Sequence, residues 1–402
     1  MTASQLLGYI GWAALIQIII WGGLGAWLSR RQVSPRASPE PAAGPPWRAF
    51  RIVRRTLEDP DGSQCSFHLA PVDGRPLPDF HPGQFLTVSL TPPGEARPVV
   101  RCYSLSDRPE PGLYRITIKR VPSPPERPDL PPGRCSGYFH DHVQVGDTIR
   151  VRGPSGAFYL DPDPDLPVVM IAGGIGVTPM VSMLRWLAST TPQRRAHLFY
   201  AVQNSAVHAF RLELRTLFQS CPALDQTVVY ARPLPGDVEG QDYDRKGFVD
   251  QALVEPVLQT LGRCAVYVCG PPPMMEALVP ALRRAGVAEA DLHYEAFGPA
   301  SVPRPAHIPA DAGGLPVVRL PVRFLRSGRT VDWTGQADTL LEFAESNGIA
   351  IDAGCRAGQC GSCETRLVSG EVSYHQRPDW EVAQGYCLPC VCAPSSALEL
   401  DA

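Results

Sequence analysis

The chain begins with a long, unbroken apolar segment. Residues 6–28 form a 23-residue run in which Gln17 is the only clearly polar side chain. As a helix this run would be about 34 Å long, enough to cross a hydrocarbon core of about 30 Å. Arg30 and Arg31 follow it and no positive charge precedes it, so the pattern predicts a single-pass membrane anchor over residues 1–31, with everything after Arg30 on the cytoplasmic side. A cleaved signal peptide is the alternative, but it would have a basic start, a shorter apolar stretch and a small-residue cleavage site.

A proline-rich spacer occupies residues 32–47, and beyond it the apolar pattern shortens. Brief segments with the composition of strands are separated by Gly/Pro turns throughout residues 48–162. These segments are FRIVRRTL, SFHLAPV, QFLTVSL, YRITIKRV and TIRVRG. Their spacing predicts a small antiparallel β-barrel.

The pattern changes again near Leu166, in a region that spans residues 163–300. Apolar strands (VVMIA, HLFYAV, TVVYA, AVYVCG) alternate with helical patterns (PMVSMLRWLAS, AFRLELRTLF, FVDQALVEPVL, MMEALVPALRRAG). Such alternation predicts an α/β domain with a parallel sheet covered by helices on both faces. A second linker follows at residues 301–316. The last region, residues 317–402, contains a hairpin pattern (VVRLPVRFLRSGRTVDW) and a short helical one (TLLEFAESNGI).

Composition narrows the classes of function. At 402 residues the chain suits two or three domains. Its net charge of −3 lacks the basic footprint of a nucleic-acid-binding domain. Six of the twelve cysteines lie between Cys355 and Cys392. Because disulfide frameworks belong to short secreted chains, this crowding predicts a metal site in a reducing compartment.

Three cysteines, Cys355, Cys360 and Cys363, have the spacing C-x4-C-x2-C. Thiolates suit iron–sulfur clusters, and this spacing is the plant-type ferredoxin arrangement. The glycines of AGCRAGQCGSC let the backbone fold tightly, so that several amide N–H groups can face sulfur. A structural zinc site is the alternative, but zinc sites usually have two close pairs separated by a dozen or more residues. The spacing therefore favours a [2Fe–2S] cluster.

The fourth ligand must come from farther along the chain, where Cys387, Cys390 and Cys392 compete for the role. The segment GYCLPCVCAP resembles the ending of plant-type ferredoxins, and this resemblance implies Cys390 as the ligand. Together with the upstream hairpin and helix, the resemblance covers the whole last region and implies a β-grasp domain.

The segment RCYSLS contains Arg101, Tyr103, Ser104 and Ser106. It matches the R-x-Y-S-L-S motif of the ferredoxin–NAD(P)+ reductase superfamily. The resemblance implies a flavin site, in which the arginine binds pyrophosphate, the aromatic ring packs on the isoalloxazine and a hydroxyl bonds to the edge of that ring.

Two further segments resemble the same superfamily. ITIKRV contains Ile118 and Lys119, while Gly133, Cys135 and Ser136 belong to a G-x-x-S turn. The turn is expected to lead into a helix whose N-terminal amides cradle phosphate. Each segment alone is also compatible with an ordinary strand or turn. The turn favours FAD over FMN, because only the dinucleotide has the extra phosphate to bind there.

A glycine-rich turn follows the strand PVVMIA and precedes a helical pattern. It contains Gly173, Gly174, Gly176, Thr178 and Pro179. This strand–turn–helix context is typical of dinucleotide phosphate binding. Proline suits the first turn of the helix, and Thr178 is the predicted cap. A turn with a purely structural purpose is the alternative.

Cys269, Gly270, Pro271 and Met274 form a segment that resembles the superfamily's C-G-P-x-x-M motif. The resemblance implies that Cys269 lies beside the nicotinamide. A plain buried strand thiol is the alternative.

Glu295 and Phe297 lie in YEAFG, which resembles the superfamily's E-x-F ending near the flavin face. With Cys269 they make up the predicted catalytic set, although Phe297 is also compatible with simple core. The segment FYAVQN ends the second strand of the domain without a charge, and the nearest one is Arg211. NADP-specific enzymes often place a basic residue here, so NADH is favoured.

Taken together, the resemblance implies an electron-transfer reductase that passes electrons from NADH (NADPH is possible) via FAD to a [2Fe–2S] cluster. The modules resemble the reductase half of flavohaemoglobins joined to a C-terminal ferredoxin domain, an order that oxygenase reductases share. The implied partner is a redox acceptor, such as an oxygenase, a desaturase or a membrane di-iron enzyme. A membrane redox sensor or structural metal-binding protein with an inactive nucleotide domain is the alternative.

Overall fold

The computed structural model describes residues 45–95, 97–123, 128–297 and 319–402. The predicted anchor, most of the first linker and all of the second lie outside these ranges, so those predictions stay as made. Within the described ranges, no helix has the length and apolar character needed to cross a bilayer. All described residues belong to one compact unit.

The first domain, the barrel domain, is an antiparallel sheet of six strands in the order β4-β3-β6-β1-β2-β5. A bridge between Leu105 and Ile116 connects the residue after β4 to β5, so the two outer strands of the sheet meet. Fully buried Phe67, Leu69 and Ile116 belong to the core that results. The elements are β1 (Arg48–Leu57), β2 (Gln64–Pro71), β3 (Phe85–Leu90), β4 (Val99–Ser104), β5 (Tyr114–Lys119), α1 (Arg134–Asp141) and β6 (Thr148–Ser155).

Strand β4 is the strand that the apolar pattern does not predict. Its sequence VVRCYS shows no sustained alternation between buried and exposed positions. It forms because it pairs with β3 along its whole length, from Ser104 opposite Phe85 to Val99 opposite Leu90. Tertiary pairing rather than local pattern thus creates the strand that contains the RCYS motif.

The second domain, the parallel-sheet domain, has six parallel strands in the order β10-β9-β8-β7-β11-β12. Its elements are β7 (Val168–Gly173), α2 (Val177–Thr190), β8 (Ala196–Val202), α3 (Arg211–Ser220), β9 (Leu224–Tyr230), β10 (Arg245–Lys246), α4 (Gln251–Leu261), β11 (Ala265–Gly270), α5 (Pro272–Arg284) and β12 (Leu292–Ala296). The predicted alternation of strands and helices is confirmed.

Strand β7 lies at the centre of this sheet and is buried at all six positions. Its alternate residues enter different cores. Met170 and Ala172 pack with α2 and α3, whereas Val169 and Ile171 pack with α4 and α5. A strand covered on both faces has a continuous apolar sequence, which explains why VVMIA lacks alternation.

The strand order reverses between β7 and β11. From β7 the chain builds outward through β8 and β9, and it then returns to add β11 and β12 on the other side. Open α/β sheets bind ligands at the carboxyl ends of the strands where the order reverses. The two glycine-containing segments, Gly173–Gly176 and Gly270–Met274, both begin at that point.

The third domain, the cysteine-rich domain, has a five-stranded sheet in the order β14-β13-β19-β15-β17 and a separate pair, β16 and β18. The predicted hairpin is β13 and β14, and the predicted short helix is α6. The Thr339 hydroxyl caps α6 by accepting from the amide of Glu342 at 3.2 Å. The elements are β13 (Leu320–Phe324), β14 (Arg329–Trp333), α6 (Leu340–Ser346), β15 (Thr365–Ser369), β16 (Val372–Tyr374), β17 (Tyr386–Cys387), β18 (Cys392–Pro394) and β19 (Leu398–Leu400).

A cluster of four charged side chains joins the barrel domain to the parallel-sheet domain. Buried Arg115 of β5 donates to Glu213 of α3 at 2.9 Å. Arg185 of α2 lies 2.6 Å from Asp107 and 2.9 Å from Glu213. Because buried charges are costly unless paired, this junction constrains how the two domains are oriented.

Candidate functional site

The loop of the cysteine-rich domain that precedes β15 brings the predicted cluster ligands together as two pairs of thiols. Cys363 Sγ lies 3.2 Å from Cys390 Sγ, and Cys355 is hydrogen-bonded to Cys360. Two thiolates for each of two irons is the arrangement that a [2Fe–2S] cluster needs, so the two pairs of thiols fit that cluster.

Backbone amides of the same loop point at sulfur, as its glycine content predicts. The amides of Ala357 and Gln359 donate to Cys355 Sγ at 3.4 and 3.3 Å. The amide of Cys355 donates to Cys360 Sγ at 3.3 Å. Such hydrogen bonds favour the thiolate form that binds iron.

Cys387 and Cys392, the competing ligands, lie elsewhere. Both are fully buried in the main apolar core of the domain, whereas Cys390 lies with Cys363 in a separate cluster beside Leu388. This placement agrees with Cys390 as the fourth ligand, an assignment that stays a prediction until the ligands are tested.

The RCYS motif occupies β4 on the barrel domain. Arg101 is exposed, and its Nη1 donates to the carbonyl of Val100 at 2.7 Å. Tyr103 packs edge-to-face on Phe139 of α1, with ring centres 5.5 Å apart. Ser104 Oγ is buried and has no hydrogen-bond partner among the described residues. A buried hydroxyl without a partner is costly, which is consistent with its bonding to a flavin ring.

Ser106, another predicted cofactor residue, is buried in the barrel. Its Oγ lies 2.7 Å from Thr117 Oγ1 and donates to the carbonyl of Arg115 at 3.3 Å. Its hydroxyl thus belongs to a hydrogen-bond network of the barrel, and its role at the cofactor stays a prediction.

The G-x-x-S turn leads into α1, which begins at Arg134 as predicted. The hydroxyl of Ser136 serves the turn itself, since it donates to the carbonyl of Gly133 at 3.0 Å and accepts from the amide of Val121 at 3.2 Å. Cys135 is buried, and burial raises the pKa of its thiol. The adjoining strand end with Ile118 and half-buried Lys119 is held by a hydrogen bond between His140 Nε2 and the carbonyl of Ile118, at 2.8 Å.

The glycine turn after β7 packs directly against the end of β11. A Cβ on Gly176 would lie 2.2 Å from the carbonyl oxygen of Cys269. A Cβ on Gly173 would lie 2.7 Å from Pro271 and 2.8 Å from Met274 Sδ. The glycines are therefore required for the close approach of the two segments, whichever ligand they bind.

Thr178 does not cap α2, so this prediction is wrong. The helix begins at Val177, and its N-cap is Gly176 without a side-chain hydrogen bond. A short 3-10 turn over Gly174–Gly176 runs straight into the helix. Thr178 Oγ1 lies inside the helix and donates to the carbonyl of Ile175 at 3.0 Å, while Pro179 falls in the first turn as predicted.

Cys269 and Glu295 face each other on neighbouring strands, β11 and β12. Glu295 Oε2 is buried without a hydrogen-bond partner among the described residues, and desolvation by burial raises the pKa of this carboxyl to about 8. Burial, followed by the charge of Glu295, raises the pKa of the Cys269 thiol well above its usual range. Phe297 packs against the core that contains Cys269. Two members of the predicted catalytic set, Cys269 and Glu295, are therefore neighbours, and burial favours the neutral form of both.

The end of β8, where cofactor preference was predicted, contains Asn204, whose side chain accepts from the amide of Ala206 at 3.1 Å. Arg211, the nearest positive charge, is paired with Asp242. Because this guanidinium already has a carboxylate partner, the geometry agrees with NADH as the cofactor.

Two residues that approach the cluster loop were not predicted, Cys102 and Arg152. Cys102 is the variable position of the RCYS motif, and Arg152 lies in the strand segment TIRVRG. The pKa of the Cys360 thiol is lowered first by a hydrogen bond from Cys102 and then by one from Cys355. No local signal separates these residues from ordinary strand positions, because only the packing of two domains brings them to the loop.

Three family models match the chain in the order of its domains. The oxidoreductase FAD-binding domain matches residues 55–159, the oxidoreductase NAD-binding domain residues 170–279, and the 2Fe-2S iron-sulfur cluster binding domain residues 322–395. These matches support an NAD(P)H-dependent flavin/iron–sulfur oxidoreductase with domains for FAD, NADH and a [2Fe–2S] cluster.

The chain, in the order of its domains, fits a ferredoxin reductase-type flavoprotein with a C-terminal [2Fe–2S] domain. It is 41% identical to the flavohemoprotein of Rhizobium meliloti (strain 1021) over 254 residues, which cover 63% of this chain and 61% of that protein. It is 36% identical to the flavohemoprotein of Halalkalibacterium halodurans over 270 residues, or 67% of this chain and 64% of that protein. The chain thus spans less than two thirds of the length of these curated relatives.

Among solved structures, phthalate dioxygenase reductase, a modular structure for electron transfer from pyridine nucleotides to [2Fe–2S], is similar along nearly its whole length. The identity is 25%, the TM-score is 0.53, and the match covers 89% of this chain and 98% of that one. An intact type IV self-sufficient cytochrome P450 monooxygenase is 26% identical with a TM-score of 0.57, over 89% of this chain and 41% of that one.

Proposed function

We propose that this protein takes electrons from NADH, passes them through FAD to its own [2Fe–2S] cluster, and delivers them to a partner oxygenase, desaturase or related redox acceptor. The observation that carries the proposal is the contact between the flavin motif and the cluster loop. Cys102 lies within the RCYS motif of β4, and its Sγ lies 3.1 Å from the position that a Cβ would occupy on Gly354 of the loop, with Cys360 Sγ 2.9 Å from the same point. The two cofactor-binding segments therefore touch inside one chain.

Arg101, Tyr103 and Ser104 are the residues that would hold FAD, and bound FAD would supply the redox chemistry, since a flavin can accept two electrons from NADH and release them singly. The protein orients the cofactors relative to one another. The end of β11 brings Cys269 beside Glu295, and Arg115 with its carboxylate partners fixes the barrel domain on the parallel-sheet domain. Tethering the cluster to the same chain makes the second transfer intramolecular and so raises the effective concentration of the two groups.

An absorption spectrum of the purified protein tests this function. We expect flavin and [2Fe–2S] bands, both of which bleach when NADH is added without oxygen. Colourless protein with stoichiometric zinc, or pigment that does not respond to NADH, would exclude the proposal in favour of a structural metal-binding protein.

The ligand set is tested by a matched pair of variants. Cys390→Ser should lose the cluster bands and keep the reduction of FAD by NADH, because Cys390 pairs with Cys363. Cys392→Ser is the control, since its thiol is equally buried but lies in the sheet core. Loss of the cluster in the control alone would move the fourth ligand to another cysteine.

The similarity to phthalate dioxygenase reductase and to a P450 monooxygenase supports an oxygenase as the acceptor. The apolar run at residues 6–28 supports a single-pass anchor that keeps the catalytic domains on the cytoplasmic side. Full-length protein should resist alkaline carbonate extraction from membranes, and the acceptor should co-purify after detergent extraction. Release by carbonate alone would contradict the anchor while leaving the reductase function intact.

A further inference from the structure

Three residues of the barrel domain form a row that faces the cluster loop. Thr87 of β3 is opposite Arg152 of β6 on one side and opposite Cys102 of β4 on the other. Residues opposite each other in antiparallel strands project from the same face of the sheet. Thr87 Oγ1 lies 3.7 Å from Cys102 Sγ, so the row is continuous from Arg152 to the flavin motif.

The cluster loop contacts this row of residues at Gly354. Cys102 Sγ, Cys360 Sγ and Ser362 Oγ all lie within 3.1 Å of the position that a Cβ would occupy on Gly354. These three groups therefore meet at a point where there is no room for a side chain on residue 354.

One arginine connects the two sides of this contact. Arg152 Nη2 donates to the carbonyl of Cys360 at 2.6 Å and to Ser362 Oγ at 3.2 Å. Ser362 Oγ is in turn hydrogen-bonded to Cys360 Sγ at 3.2 Å. The guanidinium of Arg152 thus contacts the predicted ligand Cys360 directly at its backbone carbonyl and, through Ser362, at its sulfur.

Aromatic rings fix the position of this guanidinium. Its Cζ lies 4.8 Å from the ring centre of Trp47 and 5.0 Å from that of Trp380, both within the range of cation–π attraction. Trp380 also covers Gly361, where a Cβ would lie 2.1 Å from the indole. The arginine is half-buried, and burial lowers the pKa of its guanidinium.

We propose that Arg152 is a positioning residue for electron transfer, which seats the cluster loop on the flavin-motif strand. This inference rests on the proposed function, since it concerns the step between FAD and the cluster. The arginine contacts the backbone of Cys360, Ser362 and two indole rings. It acts by holding Cys360 and Ser362 against Cys102, so its loss lengthens and loosens the path between the two cofactors.

The test follows both reduction steps in the full-length holoprotein by anaerobic stopped-flow absorbance after mixing with NADH. Arg152→Gln should bleach its flavin at the wild-type rate and slow the subsequent cluster reduction on the order of tenfold, as misplacement of a reacting group by about 1 Å can do. Arg152→Lys keeps the charge without the planar fork and should be intermediate. The reduction potential of the cluster should become more negative in Arg152→Gln, because a nearby cation is lost.

Arg150→Gln is the matched control. Arg150 lies two residues away on the same strand face, with its Cζ 5.5 Å from the ring centre of Trp47, and should leave both rates unchanged. Cluster content from the visible spectrum and the EPR signal of the dithionite-reduced protein identifies a variant that has lost its cluster, in which case Arg152→Lys decides. Cluster reduction in Arg152→Gln as fast as in wild type, or an equal slowing in Arg150→Gln, overturns the inference. Wild-type protein whose cluster NADH never reduces instead refutes the proposed function.

Discussion

The cluster loop and the nucleotide end of the parallel sheet are both rich in glycine, yet they are built in opposite ways. In the loop, Arg356, Gly358 and Gly361 adopt positive φ angles, and amides less than five residues away point at sulfur. At the sheet, Gly176 needs to be a glycine only because the carbonyl of Cys269 lies against it. One site depends on local backbone conformation, and the other depends on the register of a whole domain.

The largest effect should follow from removing Arg115 from the charged cluster that joins the barrel domain to the parallel-sheet domain. Arg115→Ala removes the buried arginine and leaves Glu213 and Asp107 with Arg185 as their remaining partner, so it should lower the free energy of unfolding by about 3 kcal/mol, the lower end for a broken buried pair. Thermal unfolding followed by flavin release measures it. Arg108→Ala is the control, because Arg108 pairs with Glu110 on the same loop at the surface and should cost less than about 1 kcal/mol. Equal losses in the two variants would show that burial of this junction is unimportant.

A smaller effect is expected at the sheet site, by which we mean the nucleotide end of the parallel sheet where Gly176 lies against Cys269. Gly176→Ala forces the β7 turn away from the β11 carbonyl and should destabilise the protein by about 1–3 kcal/mol, while the KM for NADH rises. The cluster bands should remain, since the loop does not depend on this register. Gly236→Ala, where a Cβ would meet no atom within 4 Å, is the control. An unchanged KM and melting temperature in Gly176→Ala would contradict the tight contact.

The same contrast explains what the sequence could predict. The spacing of Cys355, Cys360 and Cys363 is local, so the loop and its amide–sulfur bonds follow from a dozen residues. The flavin and nucleotide residues were found only through resemblance to a superfamily, because the groups that meet there lie on separate strands. Cys269 and Glu295 come together through parallel pairing of β11 with β12, and no local sequence pattern predicts that pairing.

The features that the sequence did not predict have the same origin. The strand β4 lacks alternation because its partner β3, not its own sequence, determines it. Ser106 matches a cofactor motif by position, but closure of the sheet places its hydroxyl against Thr117. Arg152 looks like any exposed strand arginine until the cysteine-rich domain packs on it.

The smallest expected effect tests the electrostatics of the sheet site. The pKa of Glu295 is raised to about 8 by burial, from an ordinary value near 4.5, so the folded state binds more protons than the unfolded state between those values. The stability contributed by this group is present below about pH 4.5 and is lost as the pH rises through about 8. Glu295→Gln cannot ionise, and the wild type should therefore lose on the order of 1 kcal/mol more than this variant between pH 7 and pH 9. Glu289→Gln is the control, because the pKa of that exposed carboxyl is lowered by its hydrogen bond to Arg283 and it stays ionised throughout this range. Stability is measured by chemical denaturation at each pH. Parallel pH profiles for wild type and Glu295→Gln would mean that the Glu295 carboxyl is solvated and that the sheet site does not exclude water.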